Sequence, residues 1–322
     1  MKRKNNLYQK IISLDNLKAA DQIARRHKMK QRGVIKHIKN EEQNILQLHE
    51  ELKTGTYRTG VYVTRVIREP KERIISIIAY IHRVVHHAIM IHLEDIFVRH
   101  FVSNSYACVK GKGVHSASRA IKKILKDAEG TKYCLKLDVK KFYPTIKHHL
   151  LKAMLRRLLK DRFLLNFLDE IIDSAEGLPI GNYLSQYFAN LYLTPLDRYL
   201  KEELRVKKYV RYADDIVIFS DDKDYLHQLR VKIKTFLKDV LELEINRKYQ
   251  VFLVASRGAD IVGYKHFHKY TLLRNTIKKA FARVIARRKK AKDPKRFRAS
   301  VDSYKGWAKH CNSKHLLKKL AA

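Results

Sequence analysis

The sequence predicts an α+β protein, and three observations predict it. Tyr133, Leu135, Leu137 and Val139 keep strict period two against Cys134, Lys136 and Asp138, and Tyr209 to Ser220 reads as two strands folded over an Ala213-Asp214-Asp215 turn. Long stretches before, between and after them carry apolar residues at three-and-four spacing, the helical pattern. With 322 residues, 45% of them hydrophobic, and only 5 Pro and 11 Gly, the chain can bury a sizeable core and is not a disordered one.

In chain order, Leu7 to about Leu52 reads as helices with a basic solvent face, ending at Thr54-Gly55-Thr56. Val61 to Ile67 and Arg73 to Ile78 form a basic β-hairpin around Glu69-Pro70-Lys71-Glu72. Helices are expected from Ile81 to about Phe97 and from Ser116 to Leu125, the second after Gly111-Lys112-Gly113. One long helix (about Lys147 to Ile172), a Gly177-Leu178-Pro179-Ile180-Gly181 loop and a second helix (about Tyr183 to Leu200) separate the two strand regions. An amphipathic helix through Leu226, Leu229, Ile233, Phe236, Leu237 and Val240 and a last hairpin near Tyr249 to Phe267 follow. The tail carries twelve basic residues and one acid, Asp293, between Arg274 and Arg298, and reads as a helical nucleic-acid clamp.

Lys and Arg number 69 against 32 Asp and Glu, a formal net charge of +37. Self-repulsion on that scale points to a polyanionic partner, with nucleic acid leading. The basic residues run the whole length of the chain, and the longest apolar run, near Ile74 to Ile81, is far too short to span a bilayer. MKRKNNLYQK leads into no apolar signal core, so no membrane partner is expected. Cys108, Cys134 and Cys311 are odd in number and scattered, which fits a reducing cytoplasm.

Asp214-Asp215 stands out in so basic a chain. An isolated Asp-Asp is ordinarily a polar turn, but Asp138 closes a strand of its own 76 residues earlier (214 − 138), with a helix-loop-helix between. Carboxylates from two neighbouring strands can hold a pair of divalent ions about 4 Å apart, an arrangement that activates a hydroxyl on one side and steadies a leaving group on the other. His82, His86 and His87, and likewise His310, Cys311 and His315, lack four-ligand zinc spacing and read as structural or nucleic-acid-facing.

Residue by residue, the chain resembles the reverse transcriptases. Tyr212-Ala213-Asp214-Asp215 is similar to their Tyr-x-Asp-Asp box, and Leu137-Asp138-Val139-Lys140-Lys141-Phe142-Tyr143 to the palm strand bearing the first catalytic aspartate. The resemblance implies a right-hand polymerase fold: N-terminal helices and fingers over 1–130, a palm of antiparallel sheet packed on helices over 131–268, and a basic helical thumb over 269–322. It implies RNA-directed DNA synthesis with Asp138, Asp214 and Asp215 catalytic and, with the Val139 carbonyl, holding two Mg2+ ions, for which Mn2+ can substitute. Tyr143 would lie under the incoming sugar and reject a 2′-hydroxyl. Glu69-Pro70-Lys71-Glu72-Arg73 is similar to the hairpin that grips the triphosphate, with Lys71 and Arg73 as the phosphate contacts. Ser105 to Gly113, with Lys110 and Lys112, corresponds to the next fingers motif. Ile261-Val262-Gly263-Tyr264 is similar to the primer-gripping hairpin and Ser303 to His310 to a thumb motif, so Gly263, Tyr264 and the run Arg287, Arg288, Lys289 and Lys290 are expected on nucleic acid. Lys248 is nearest to the lysine sometimes assigned as general acid for pyrophosphate; that role is left unassigned.

Most reverse transcriptases carry Gln-Gly and Ser-Pro where this chain has Ile180-Gly181 and Ser185-Gln186, a pattern that resembles the enzymes of diversity-generating retroelements, and Ser256-Arg257-Gly258 fits the same group. That likeness places Ile180, Gly181 and Gln186 at the nucleotide. It implies a prokaryotic or phage-encoded enzyme that copies a template-repeat RNA with errors at adenines, engages RNA/cDNA duplex and dNTP, and works with a small basic accessory variability protein. With a dozen residues after His310, no maturase, endonuclease or RNase H domain is expected. The alternatives are a group II intron-like or retron-like enzyme of ordinary fidelity, in which Ile180 merely fills an apolar gap, or an RNA-binding protein on a polymerase fold.

Overall fold

The computed structural model of the protein describes residues 2–68, 72–287 and 293–321. Four helices open it where helices are predicted: α1 (Tyr8–Ile12), α2 (Leu14–Arg25), α3 (Arg32–Ile38) and α4 (Glu41–Thr54). Gly55, at a φ of 71°, ends α4 by turning its N–H back to the Glu51 and Leu52 carbonyls. The predicted hairpin is β1 (Val63–Ile67) with β2 (Arg73–Ile77), followed by α5 (Tyr80–His100) and α6 (Val114–Ile124). Then come β3 (Tyr133–Leu137), α7 (Phe142–Thr145), α8 (His148–Leu158), α9 (Arg162–Asp173), α10 (Tyr183–Arg198) and a π-helical turn at Tyr199–Glu203. The rest is β4 (Tyr209–Tyr212), β5 (Asp215–Ser220), α11 (Lys223–Leu241), β6 (Gln250–Leu253), α12 (Val254–Arg257), β7 (Ala259–Ile261), β8 (Tyr264–His266), β9 (Thr271–Leu273), α13 (Asn275–Ala286), α14 (Pro294–Ala308) and α15 (Lys314–Ala321).

These elements form two compact units interleaved along the chain, one of Met1–Val102, Lys140–Arg198 and Leu237–Leu243, the other of Ser103–Val139, Tyr199–Phe236 and Glu244–Ala322. The first unit is helical apart from its hairpin. Its centre is α5, which buries Val84, Val85, Ala88, Ile89, Leu93 and Phe97 and is apolar around most of its circumference, as a surrounded helix must be. The amide of Asn16 donates to the Ile11 and Ala88 carbonyls, tying α1, α2 and α5 together. One expectation fails here: the single helix from Lys147 to Ile172 is two, α8 and α9. Asp161 breaks it, because its carboxylate accepts from the N–H groups of Leu164, Leu7 and Tyr8, capping α9 and anchoring the chain start instead of continuing a helix.

The second unit holds a four-stranded antiparallel sheet of order β4-β5-β3-β6 and a three-stranded one of order β7-β8-β9. Cys134 alternates with Leu135 and so sits on the opposite face of β3, and it is fully buried as well. β3 is an inner strand, and the face carrying Cys134 packs into a core with Ala117 and Ile121 of α6 and with Ile261 and Tyr264 of the smaller sheet, so both faces are covered. The predicted last hairpin is likewise divided. β6 joins β3 in the larger sheet, α12 intervenes, and β7 to β9 form the smaller sheet, because Gly258 at a φ of 68° turns the chain out of α12.

Candidate active site

In the second unit, β3 and β5 run antiparallel with Leu137 facing Ile216, so the next residues along, Asp138 and Asp215, meet where the ladder ends. Tyr212 pairs with Asp215, which leaves Ala213 and Asp214 alone as the turn between β4 and β5. Asp215 is therefore the first residue of a strand, not part of a three-residue turn as expected. The chain reverses in two residues because Ala213 adopts a φ of 54°, a left-handed conformation costly for alanine.

Burial, then the negative charges of Asp138 and Asp215, push the Asp214 carboxyl up to about 7. A side-chain hydrogen bond to Asp138, which protonated Asp214 donates, adds to the shift. The sequence thus brings all three predicted carboxylates to one corner of the sheet. Val139 is buried beside it and bridges Ile245 in antiparallel register.

Two residues missed by sequence reasoning hold this corner. Arg211 is fully buried, and its guanidinium donates to the Ala213 carbonyl at 3.0 Å, fixing the strained turn from beneath. A charge in the otherwise apolar Tyr209-Val210-Arg211-Tyr212 strand was the available signal. Asn246 donates from its main-chain N–H to the Asp138 carbonyl at 2.7 Å and from Nδ2 to Asp138 Oδ2 at 3.3 Å. Nothing in its sequence context marks it.

The outer edge of β4 is also covered. Arg211 N–H donates to the Asn104 carbonyl and accepts at its own carbonyl from Tyr106 N–H, each at 3.0 Å, so the loop at Ser105 runs as a parallel bridge beside it. Lys112 secures that loop: its ammonium donates to the Ser103 and Ser105 carbonyls at 2.8 and 3.1 Å and lies 5.1 Å from the Tyr106 ring centroid. Lys110, by contrast, is exposed. Tyr264 is fully buried: its hydroxyl donates to the Trp307 carbonyl at 2.9 Å, and its ring packs on Trp307 and His115. Gly263, at a φ of 81°, lies under the Trp307 indole where no Cβ would fit, so this pair packs into the unit's core.

Of the residues expected at the nucleotide, Arg73, Tyr143, Ile180, Gly181 and Gln186 lie in the first unit. The Ile180 carbonyl accepts from Ser76 N–H at 2.8 Å, and a Cβ on Gly181, whose φ is 125°, would come 2.5 Å from the Ser76 carbonyl. The loop before α10 is thus pressed against β2, the strand that starts at exposed Arg73. Leu178 N–H donates to the Tyr143 carbonyl at 2.9 Å, and a Cβ on Gly177 would meet the Pro144 carbonyl, so the other end of the loop lies on the turn carrying half-buried Tyr143. Gln186 is exposed on α10. Arg287 is exposed at the end of α13, while Lys71, Arg288, Lys289 and Lys290 lie outside the described residues.

No group of three or more His, Cys, Asp or Glu side chains among the described residues forms a cage able to hold a metal by itself. Mg2+ does not require one, because it is commonly held by one or two carboxylates, waters and substrate phosphates. Among the described residues no helix is long and apolar enough to cross a membrane.

Residues 65–266 match the family model of reverse transcriptase (RNA-dependent DNA polymerase). The chain is similar to protein YkfC of Escherichia coli strain K12, 24% identical over 271 residues that cover 69% of this chain and 71% of that one. It is also similar to the group II intron-encoded protein LtrA of Lactococcus lactis subsp. cremoris, 21% identical over 300 residues, with 69% and 49% covered. The retron Ec73 reverse transcriptase of Escherichia coli is 28% identical over 183 residues, with 52% and 56% covered. Among solved structures, telomerase from Candida albicans with a fragment of telomeric RNA shares the fold at a TM-score of 0.51 and 12% identity, covering 72% of this chain and 51% of that one. The chain spans about half the length of LtrA and of that telomerase. The family model takes in well over half of the chain, with the three carboxylates inside it, and the chain belongs to the reverse transcriptase family, the RNA-dependent DNA polymerases.

Proposed function

We propose that this reverse transcriptase copies a template-repeat RNA into error-prone, adenine-mutagenised cDNA, with Asp138, Asp214 and Asp215 as its catalytic carboxylates. The convergence of these three acids at one sheet corner carries the catalytic assignment. Asp214 is kept protonated up to about neutrality by burial and by its acidic neighbours, a corner that calls for divalent positive charge. Mg2+ or Mn2+ held there by the three carboxylates and the Val139 carbonyl would activate the primer 3′-hydroxyl and steady the departing pyrophosphate. Fingers, palm and thumb correspond to 1–130, 131–268 and 269–322.

The other assignments follow the same reading. Arg73, with Lys71, binds the triphosphate of the dNTP, and the Tyr143 ring lies under its sugar. Ile180, Gly181 and Gln186 face the nascent pair. Exposed Lys110 and the Arg287-Arg288-Lys289-Lys290 run meet the backbone of template RNA or RNA/cDNA duplex. A small basic accessory protein completes the working complex.

The mutagenic reading rests on Ile180, where most of the family carries Gln. An amide there can hydrogen-bond near the nascent pair, so that a misplaced pair leaves polar groups unmatched at a cost of roughly 1–3 kcal/mol. Isoleucine has no such bond to lose, and each 1.36 kcal/mol of lost discrimination is about a tenfold higher error ratio. The intron-encoded and retron relatives favour a second reading, an enzyme of ordinary fidelity. Deep sequencing of cDNA made from one RNA, with the accessory protein present, separates the two. Wild type should misincorporate most opposite template adenine and Ile180→Gln should reduce those errors; uniformly low wild-type errors would refute the mutagenic reading.

A further inference from the structure

We propose that Asn246 is a positioning residue that sets the Asp138 carboxylate for cation binding. The inference rests on the carboxylate corner being the cation site. Its main-chain N–H bonds the Asp138 carbonyl at 2.7 Å, and its neighbour Ile245 bridges Val139, so the backbone alone keeps the two segments in register. The side chain is not needed for that task. Asn246 Oδ1 accepts from the Lys248 N–H at 3.2 Å, and since only the oxygen of an amide can accept, Nδ2 must be the atom turned to Asp138 Oδ2 at 3.3 Å.

The amide is therefore locked at both ends, and it presents a neutral donor to a carboxylate that lies beside the acid Asp214. It holds one Asp138 oxygen and thereby fixes the rotamer of the whole group before any cation arrives. A side chain that orients a ligand in this way acts on metal affinity rather than on folding, and removing such a partner typically costs 10- to 100-fold in affinity or activity.

Asn246→Ala removes the donor and Asn246→Leu replaces it with an apolar side chain of similar size; both retain the main-chain bond. Mn2+ binding to the full-length protein, read by electron paramagnetic resonance without nucleotide or RNA, should weaken about 10- to 100-fold in both variants, with the melting temperature kept. In primer extension kcat should fall while KM for dNTP stays at the wild-type value. Wild-type Mn2+ affinity in both variants would overturn the assignment, as would unfolding of both, which would make Asn246 a folding residue. If wild type itself binds no Mn2+, the cation-site reading fails and the role of Asn246 with it, a result distinct from equal affinities in all three proteins.

Discussion

The carboxylate corner is held by side chains: Arg211 on the Ala213 carbonyl and Asn246 on Asp138. The Ile180 loop is held largely through its main chain, by Ser76 N–H to the Ile180 carbonyl, Leu178 N–H to the Tyr143 carbonyl and the His148 imidazole on the Gly177 carbonyl, with two glycines admitting the close approach. The difference has a functional consequence. Ile180 contributes only its carbonyl to these bonds, so a change of side chain at residue 180 leaves them in place, and the proposed role of Ile180 in fidelity can be tested there without removing a support. At the corner, by contrast, each supporting side chain is part of the geometry.

Deleting a support at the corner should have the largest effect on stability. Arg211→Ala removes a fully buried side chain and its bond, and should destabilise the protein by roughly 3–5 kcal/mol in denaturant titration, the range for breaking a buried charged contact or truncating a large buried side chain. Arg211→Met fills much of the space and should fold, yet lose most polymerase activity because the Ala213 carbonyl is no longer held. An active Arg211→Met would reduce Arg211 to packing.

In the loop the sensitive change is an added atom. Gly181→Ala forces a Cβ against the Ser76 carbonyl at a positive φ and should cost about 1–3 kcal/mol. Its activity loss should appear mainly in KM for dNTP, with Mn2+ affinity as in wild type. An equal loss of Mn2+ affinity would mean that the two regions do not act separately.

An effect of comparable size should appear with pH. The folded-state pKa of Asp214 lies above its unfolded value, so the folded protein binds more protons between about 4 and about 7, and metal-free stability should fall as pH rises through that window. The slope from this one group cannot exceed about 1.4 kcal/mol per pH unit. Asp214→Asn should flatten it, and thermal melts of both proteins in a chelator at pH 5 and pH 8 measure the change. A wild-type slope that persists in Asp214→Asn would place the titration on another group.

The contrast also governs how much was legible in the sequence. Asp138, Asp214 and Asp215 could be read because acids at strand ends are conspicuous in a chain of net charge +37. Strand and helix positions followed from periodicity, except where a tertiary bond intervened: Asp161 splits a continuous apolar pattern by capping α9 from within it. Asn246 was invisible because its role depends on a bond across 108 residues to Asp138. The packing of Tyr264 on Trp307 was not legible, since an aromatic beside a glycine carries the same signature whether its ring is exposed or buried. The loop's attachment to Ser76 left no side-chain pattern, only the glycines that tolerate it.

If the three carboxylates at one corner of the sheet perform RNA-templated DNA synthesis as proposed, Asp214 is indispensable to it. Single-turnover primer extension on a defined RNA, with wild type and Asp214→Asn at saturating Mg2+, tests it most directly. Extension by Asp214→Asn should fall at least about a thousandfold, roughly 4 kcal/mol in transition-state stabilisation, while RNA affinity and folding stay at wild-type levels. Extension by Asp214→Asn at the wild-type rate would contradict the account.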